Sequence, residues 1–296
     1  ATKYGGVLYT TGNNQVMVDS VTAIGNSAGA QDGGFADMEG TTSVGSQSLT
    51  IVNSTFSGNS AVGSFGGVAA LSSHGSLQYI SVTGSNFTAN NAKYGGVFYV
   101  TNHLNGTTQT MTLLGSQFIG NNASYHGGTF VMTGLDSIST ILNVSQCLFE
   151  SSKSPNEGGV FTLGIQSTGY HQARFTDSIW RNNQAVNVGG VGHFSVGTLS
   201  ALSLNDLLVL KNNTFEDNLS SNNGGVFWIG QAYHVSLESN TWRNNTAIQG
   251  GHLYLTMNTG TSTTLTIYND TFGYSTATES LFVSAVVNTQ MEVTDL

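Results

Sequence analysis

A Gly-Gly pair recurs at Gly5-Gly6, Gly33-Gly34, Gly66-Gly67, Gly95-Gly96, Gly127-Gly128, Gly158-Gly159, Gly189-Gly190, Gly224-Gly225 and Gly250-Gly251. The steps between pairs are 28, 33, 29, 32, 31, 31, 35 and 26 residues. Steps so nearly equal mark an internal repeat, and a repeat of this length means stacked supersecondary units rather than a closed globular core. A tenth, degenerate copy carries Glu279-Ser280 in the place of the pair.

The rest of each copy keeps the same register. An aromatic residue precedes the pair by eight to ten positions in most copies: Phe56, Phe87, Phe118, Phe149, Trp180, Phe215, Trp242 and Phe272, with Ala23 in the first. Three residues after it stands Asn, at Asn26, Asn59, Asn90, Asn121, Asn183, Asn218 and Asn245, replaced by Ser152 and Ser275. A small residue follows two further on, Ala61 and Ala92 among them. Seven and five residues before the aromatic slot every copy is apolar, as in Leu49/Ile51, Ile80/Val82 and Met111/Leu113. Alternation with period two is the mark of a strand with one buried face. A second alternating strand follows the glycines, with Phe98/Val100 and Phe130/Met132 facing in.

One copy cannot bury its apolar face alone, but stacked copies can, at about 4.8 Å per coil. The expected fold is therefore all-β: a right-handed parallel β-helix of about nine to ten coils of about 30 residues. Like side chains then form ladders, and Asn inside a turn satisfies its amide from coil to coil. A leucine-rich repeat has a similar period but needs a Leu-x-x-Leu-x-Leu frame, which is absent. Residues 1–296 read as one solenoid with no polar cap at either end, a segment of a longer chain or of a filament that associates end to end.

Phe87-Thr88-Ala89-Asn90 followed by Gly95-Gly96-Val97, and Phe118-Ile119-Gly120-Asn121 followed by Gly127-Gly128-Thr129, resemble the repeat of chlamydial polymorphic outer-membrane proteins. The resemblance runs over essentially the whole chain, with Gly-Gly-Val here where that family favours Gly-Gly-Ala. It implies a β-helical passenger of autotransporter type that acts in adhesion, and it brings no catalytic residues with it.

Charge and cysteine content narrow the function classes. Only seven Lys or Arg occur, scattered, against 16 Asp or Glu. A nucleic-acid partner needs a basic stripe, and none exists. One cysteine, Cys147, excludes an internal disulfide framework. No apolar run is long enough to span a bilayer.

Several residue sets are candidate sites. Sequons begin at Asn53, Asn86, Asn105, Asn122, Asn143, Asn212, Asn218, Asn244 and Asn269, candidates for glycosylation if the chain is secreted by a eukaryote. Asn53, Asn212 and Asn269 share one repeat slot. Glu150, Arg181, Glu216 and Arg243 follow the aromatic in four successive copies, an alternating charge ladder that reads first as local stabilisation and second as a binding edge. Tyr9, Tyr99, His193, Trp228 and Tyr254 form an outward row after the glycines, with Val7, Val97, Val160, Val191 and Val226 beside it. So apolar an outer row marks a contact stripe, covered by loops or a partner, or stacking on sugars.

Catalysis fits less well. Asp32, Asp37 and Glu39 lie in one copy, Glu157, Asp177, Asp206 and Glu238 occupy four different slots, and the seven His are dispersed. No metal or cofactor site is expected. A flat Thr face for ice is interrupted, since Thr55, Thr214, Thr241 and Thr271 share a slot with Asn86, Gln117, Leu148 and Ile179. The sequence therefore predicts a non-catalytic, extracellular or cell-surface structural protein, with an adhesin that binds host or glycan ligands as the alternative, and a polysaccharide lyase or hydrolase as a more distant one.

Overall fold

The computed structural model describes residues 5–29, 32–40, 45–74, 77–103, 107–134, 139–165, 171–196, 207–232, 234–257, 263–284 and 289–294. Among these the regular structure is strand alone, and every pairing is parallel. A typical coil holds four strands, Phe98–Asn102, Thr108–Leu114, Gln117–Ile119 and Asn122–His126. Each strand pairs with its counterparts one coil away, giving sheets of ten, ten, nine and eight strands. The chain is a parallel β-solenoid.

Three corners bend a typical coil, and each holds a residue in the left-handed region. The first corner is Gly115 or, in other coils, Asn53, Gln146, Asp177 or Asn212. The second is Gly120, or Ala89, Ser151, Asn182 or Asn244. The third, from Gly33 to Gly250, is the first glycine of the pair, with φ near 60° at Gly95 and Gly127. At that third corner a Cβ would overlap the carbonyl of the residue three positions on, so glycine is required by contact as well as by angle.

Between the corners, equal residues stack on equal residues. Phe87 pairs in register with Phe56 and Phe118. The rings of Phe56, Phe87, Phe118, Phe149 and Trp180 lie face to face, with centroids 4.1–5.2 Å apart. All five are fully buried, and each such ring stabilises the fold by about 2–3 kcal/mol over its exposed state. Val82, Leu113 and Val144 build a parallel aliphatic ladder on the long strands.

Polar ladders run beside the apolar ones. Asn59, Asn90 and Asn121 are wholly buried, and the Nδ2 of each donates to the Oδ1 of the next where the next is Asn, at 2.9–3.0 Å. The same chain runs through Asn183, Asn218 and Asn245. Ser152 interrupts it and pairs instead with Thr129, at 3.0 Å. Thr129 stands where most coils place Val, so the two departures from the repeat satisfy each other. A second ladder lies two residues before the aromatic, through Ser54, Ser85, Ser116, Cys147, Ser178, Asn213, Asn240 and Asp270. Cys147 is buried there and its thiol is pushed up to about 11 by burial, which leaves it inert.

One expectation about the strands after the glycines is corrected. Val97, Val160, Val191 and Val226 are fully buried in the core and do not face outward. The cause is a doubled contact at the corner. Val97 N and Phe98 N both donate to the carbonyl of Thr129, and Val160 N and Phe161 N both donate to that of Val191. The coils stay in one-to-one register, Phe98 on Phe130, but the backbone bends at Gly96 and Val97, so strict alternation is broken there and Val and Phe both turn inward. Val7, in the first coil, is 59% exposed.

Candidate binding cleft

The corner at the glycines is concave on its outer flank. It brings the residue before the pair and the outward residue of the next strand to one side. The first row runs Phe65, Tyr94, His126, Glu157, Val188 and Asn223, coil by coil. The second runs Tyr9, Asp37, Ala70, Tyr99, Val131, Thr162, His193, Trp228, Tyr254 and Phe282. Where core slots keep to apolar or aromatic residues, both of these rows mix aromatic, aliphatic, polar and charged residues along the stack.

The predicted contact stripe therefore exists as a register, but it is less open than expected. Tyr9 is 37% exposed, Tyr99, Trp228 and Tyr254 are half-buried, and His193 is buried. The first row covers part of the second: Phe65 stacks on Tyr99 with centroids 4.2 Å apart. Further along, His193 lies 4.7 Å from Trp228, Trp228 is parallel to Tyr254, and Tyr254 stacks on Phe282 at 4.5 Å. Burial pushes the Tyr99 phenol up to about 12, so it stays a neutral hydrogen-bonding group.

The histidines and acids are not all dispersed, contrary to the sequence reading. Glu157 Oε2 lies 3.0 Å from His193 Nδ1 and 3.4 Å from His126 Nδ1. The three belong to successive or next-but-one coils at two different slots, and only the concave corner makes those slots neighbours. The His193 imidazole beside it holds the Glu157 carboxyl below its usual range, against the opposing effect of burial. Burial pushes the His126 imidazole down. Glu157 is thus a carboxylate at neutral pH, with its side chain 26% exposed to the flank.

This cluster lines a cleft of about 400 Å³, with Tyr94, Tyr99, Thr133 and Gly164 on its other sides. The residues lining it include no Lys or Arg. Among the described residues, no group of three or more His, Cys, Asp or Glu is arranged to hold a metal ion.

A second acidic group sits at the start of the row. Asp37 is 2% exposed, and burial, with Asp32 and Glu39 nearby, raises its carboxyl to about 7. Asp32 accepts from Ser64 Oγ, and the Tyr9 hydroxyl donates to Glu39 at 2.7 Å. In the next coil the Asp37 slot holds Ala70. A carboxyl raised in the folded state holds a proton that the unfolded chain releases. Stability is therefore lost as pH climbs from about 4 to 7. Asp37→Ala should leave stability unchanged below pH 4 and raise it by roughly 2 kcal/mol at pH 8. Urea titrations across that range measure the difference; a parallel pair of pH profiles contradicts it.

The other candidates fall out as follows. Glu150 pairs with Arg181 at 3.0 Å and Glu216 with Arg243 at 2.8 Å, as the ladder predicts, while Lys211–Glu238 at 2.6 Å is a cross-coil pair the sequence reading missed. The pairing side chains are partly exposed and contribute little. Asn53, Asn86, Asn122, Asn212, Asn244 and Asn269 are exposed, and Asn143 is half-buried. Asn218 is corrected: it is wholly buried in the amide ladder and unavailable to a glycan. Asn105 lies outside the described residues.

Comparison with protein-family models, with curated proteins and with solved structures finds no match to this chain.

Proposed function

We propose that the chain is a non-catalytic, extracellular structural protein: a segment of a right-handed β-helical rod of nine to ten coils in a surface filament or stalk. The observation that supports this reading is the ladder architecture. Apolar, aromatic and amide ladders continue from coil to coil along the axis. Such a core is stabilised by nearest-neighbour contacts and extends without limit of length. A surface poor in charge and rich in Ser, Thr and Asn suits an extracellular rod, with or without glycans.

An adhesive role is the second reading, favoured by the cleft on the concave flank, whose lining residues depart from the repeat. Electron microscopy of the native full-length protein, with intact mass on the same sample, tests the first reading. Rods or filaments on the cell exterior are expected. Compact particles confined to the cell interior would overturn it.

A further inference from the structure

We propose that the cleft around Glu157 binds a neutral, hydroxyl-rich saccharide lying along the solenoid axis. This deepens the adhesive reading by naming its ligand class.

Three features of the cleft point the same way. The first is its chemistry. Glu157 is a carboxylate flanked by two imidazoles, 3.0 and 3.4 Å away, and reachable from outside. A carboxylate so placed accepts hydrogen bonds from vicinal hydroxyls. The Thr133 hydroxyl and the Tyr94 and Tyr99 rings stand beside it. Aromatic bodies with a few convergent polar groups are the usual lining of a small-molecule site. The absence of Lys and Arg from that lining, with Asp32 near Tyr99, disfavours an anionic sugar.

The second is Gly164. A Cβ built on any second glycine of the Gly-Gly pairs would collide with backbone, or at Gly251 with the side chain of Ser275, but one at Gly164 meets nothing nearer than Thr133 Oγ1 at 3.8 Å. Packing does not require glycine there. Its neighbour in register is Thr133, so a side chain would fit the ladder and fill the cleft. A strand glycine without a packing role keeps room for something that approaches closely.

The third is direction. The aromatic row continues from the cleft through His193, Trp228, Tyr254 and Phe282. One coil advances about 4.8 Å, close to the length of one pyranose in an extended chain. A linear oligosaccharide laid in the cleft would place successive rings over successive coils.

The test uses the full chain with defined probes: neutral oligomers of glucose, mannose, galactose and N-acetylglucosamine, beside polygalacturonate and tetramethylammonium. Array binding is followed by titration calorimetry. At least one neutral series should bind saturably and more tightly as it lengthens. Glu157→Gln should weaken binding at least tenfold, and Gly164→Phe should abolish it. Tyr274→Ala, at an exposed site away from the cleft, should change nothing. If Glu157→Gln fails to fold, Gly164→Phe decides alone: lost binding with an unchanged melting temperature supports the site, and retained binding overturns it. Failure of every neutral series, or preference for polygalacturonate or tetramethylammonium, also overturns it. Attachment of the protein to enzymatically deglycosylated cells would keep the adhesive reading while sinking the saccharide.

Discussion

Gly128→Ala should lower stability by about 4 kcal/mol and the melting temperature by roughly 10 °C. Gly128 has an ordinary backbone angle, so the cost does not come from conformation. It comes from the neighbouring coil. An added Cβ would overlap the Gly159 carbonyl oxygen and stand 2.7 Å from Lys153 O and 2.8 Å from Lys153 N. These are backbone atoms already committed to the ladder, since Gly128 N donates to Gly158 O and Lys153 N to Asn121 O. No side chain can rotate away to make room. Relief requires two coils to separate, which breaks several ladders at once. Because stability in a solenoid is a sum over neighbours, one such defect divides the stack into two weaker halves. Thermal denaturation followed by circular dichroism measures the drop. Gly164→Ala is the control, since its Cβ has free space, and it should match the parent or exceed it slightly. Equal losses in the two variants would mean that close coil approach does not explain the glycine rows.

The fold was legible because its determinants recur. The Gly-Gly period, the aromatic slot, Asn three residues on and the paired apolar positions each appear many times, so a single misread copy does not matter. The parallel pairing in register, the Phe stack and the amide ladder all followed from that alignment. The buried valines after the glycines did not. Strict alternation turns them outward, and only the two N–H groups sharing one carbonyl, as at Thr129, reveal the bend. Asn218 was misread for a related reason. As a sequon it looks like its surface counterparts, yet its place in the Asn row already puts it inside.

The cleft was the least legible part, for a physical reason. A site in a solenoid is assembled across coils and across a corner, so its members sit at different repeat slots. His126 and Glu157 occupy the slot before the glycines, and His193 the outward slot after them. Slot-by-slot alignment keeps those columns apart. A usable signal was nevertheless present. The column Phe65, Tyr94, His126, Glu157 passes from aromatic to imidazole to carboxylate, while the apolar core columns barely vary. In a repeat protein, the columns that depart from the repeat are the ones free to carry a specific task.

Asn183→Ala should destabilise the chain by about 3 kcal/mol, and the loss tests whether the inner amides or the apolar stack holds the coils in register. Asn183 Oδ1 accepts from Ser152 N at 3.0 Å, while its Nδ2 donates to Phe149 O and to Asn218 Oδ1, each at 3.0 Å. Truncation strips the buried Ser152 N–H of its acceptor and takes a donor from the Phe149 carbonyl. No water reaches the site, for Asn183 and Ser152 are both wholly buried. An unsatisfied interior donor costs about 1–3 kcal/mol, and the cavity left by the amide adds to it. The natural break at Ser152 shows how the solenoid accommodates such a loss. There the missing amide is matched by Thr129, whose hydroxyl meets Ser152 Oγ in the next coil. Ser152→Asn alone should therefore be unfavourable, because the larger amide meets the Thr129 hydroxyl in a filled interior. Ser152→Asn with Thr129→Val restores the commoner pair and should recover or exceed parental stability. A double-mutant cycle by urea denaturation reads the coupling between the two positions. Additive effects would mean that the amide row and the post-glycine row act independently, and that the register is set by the aromatic stack.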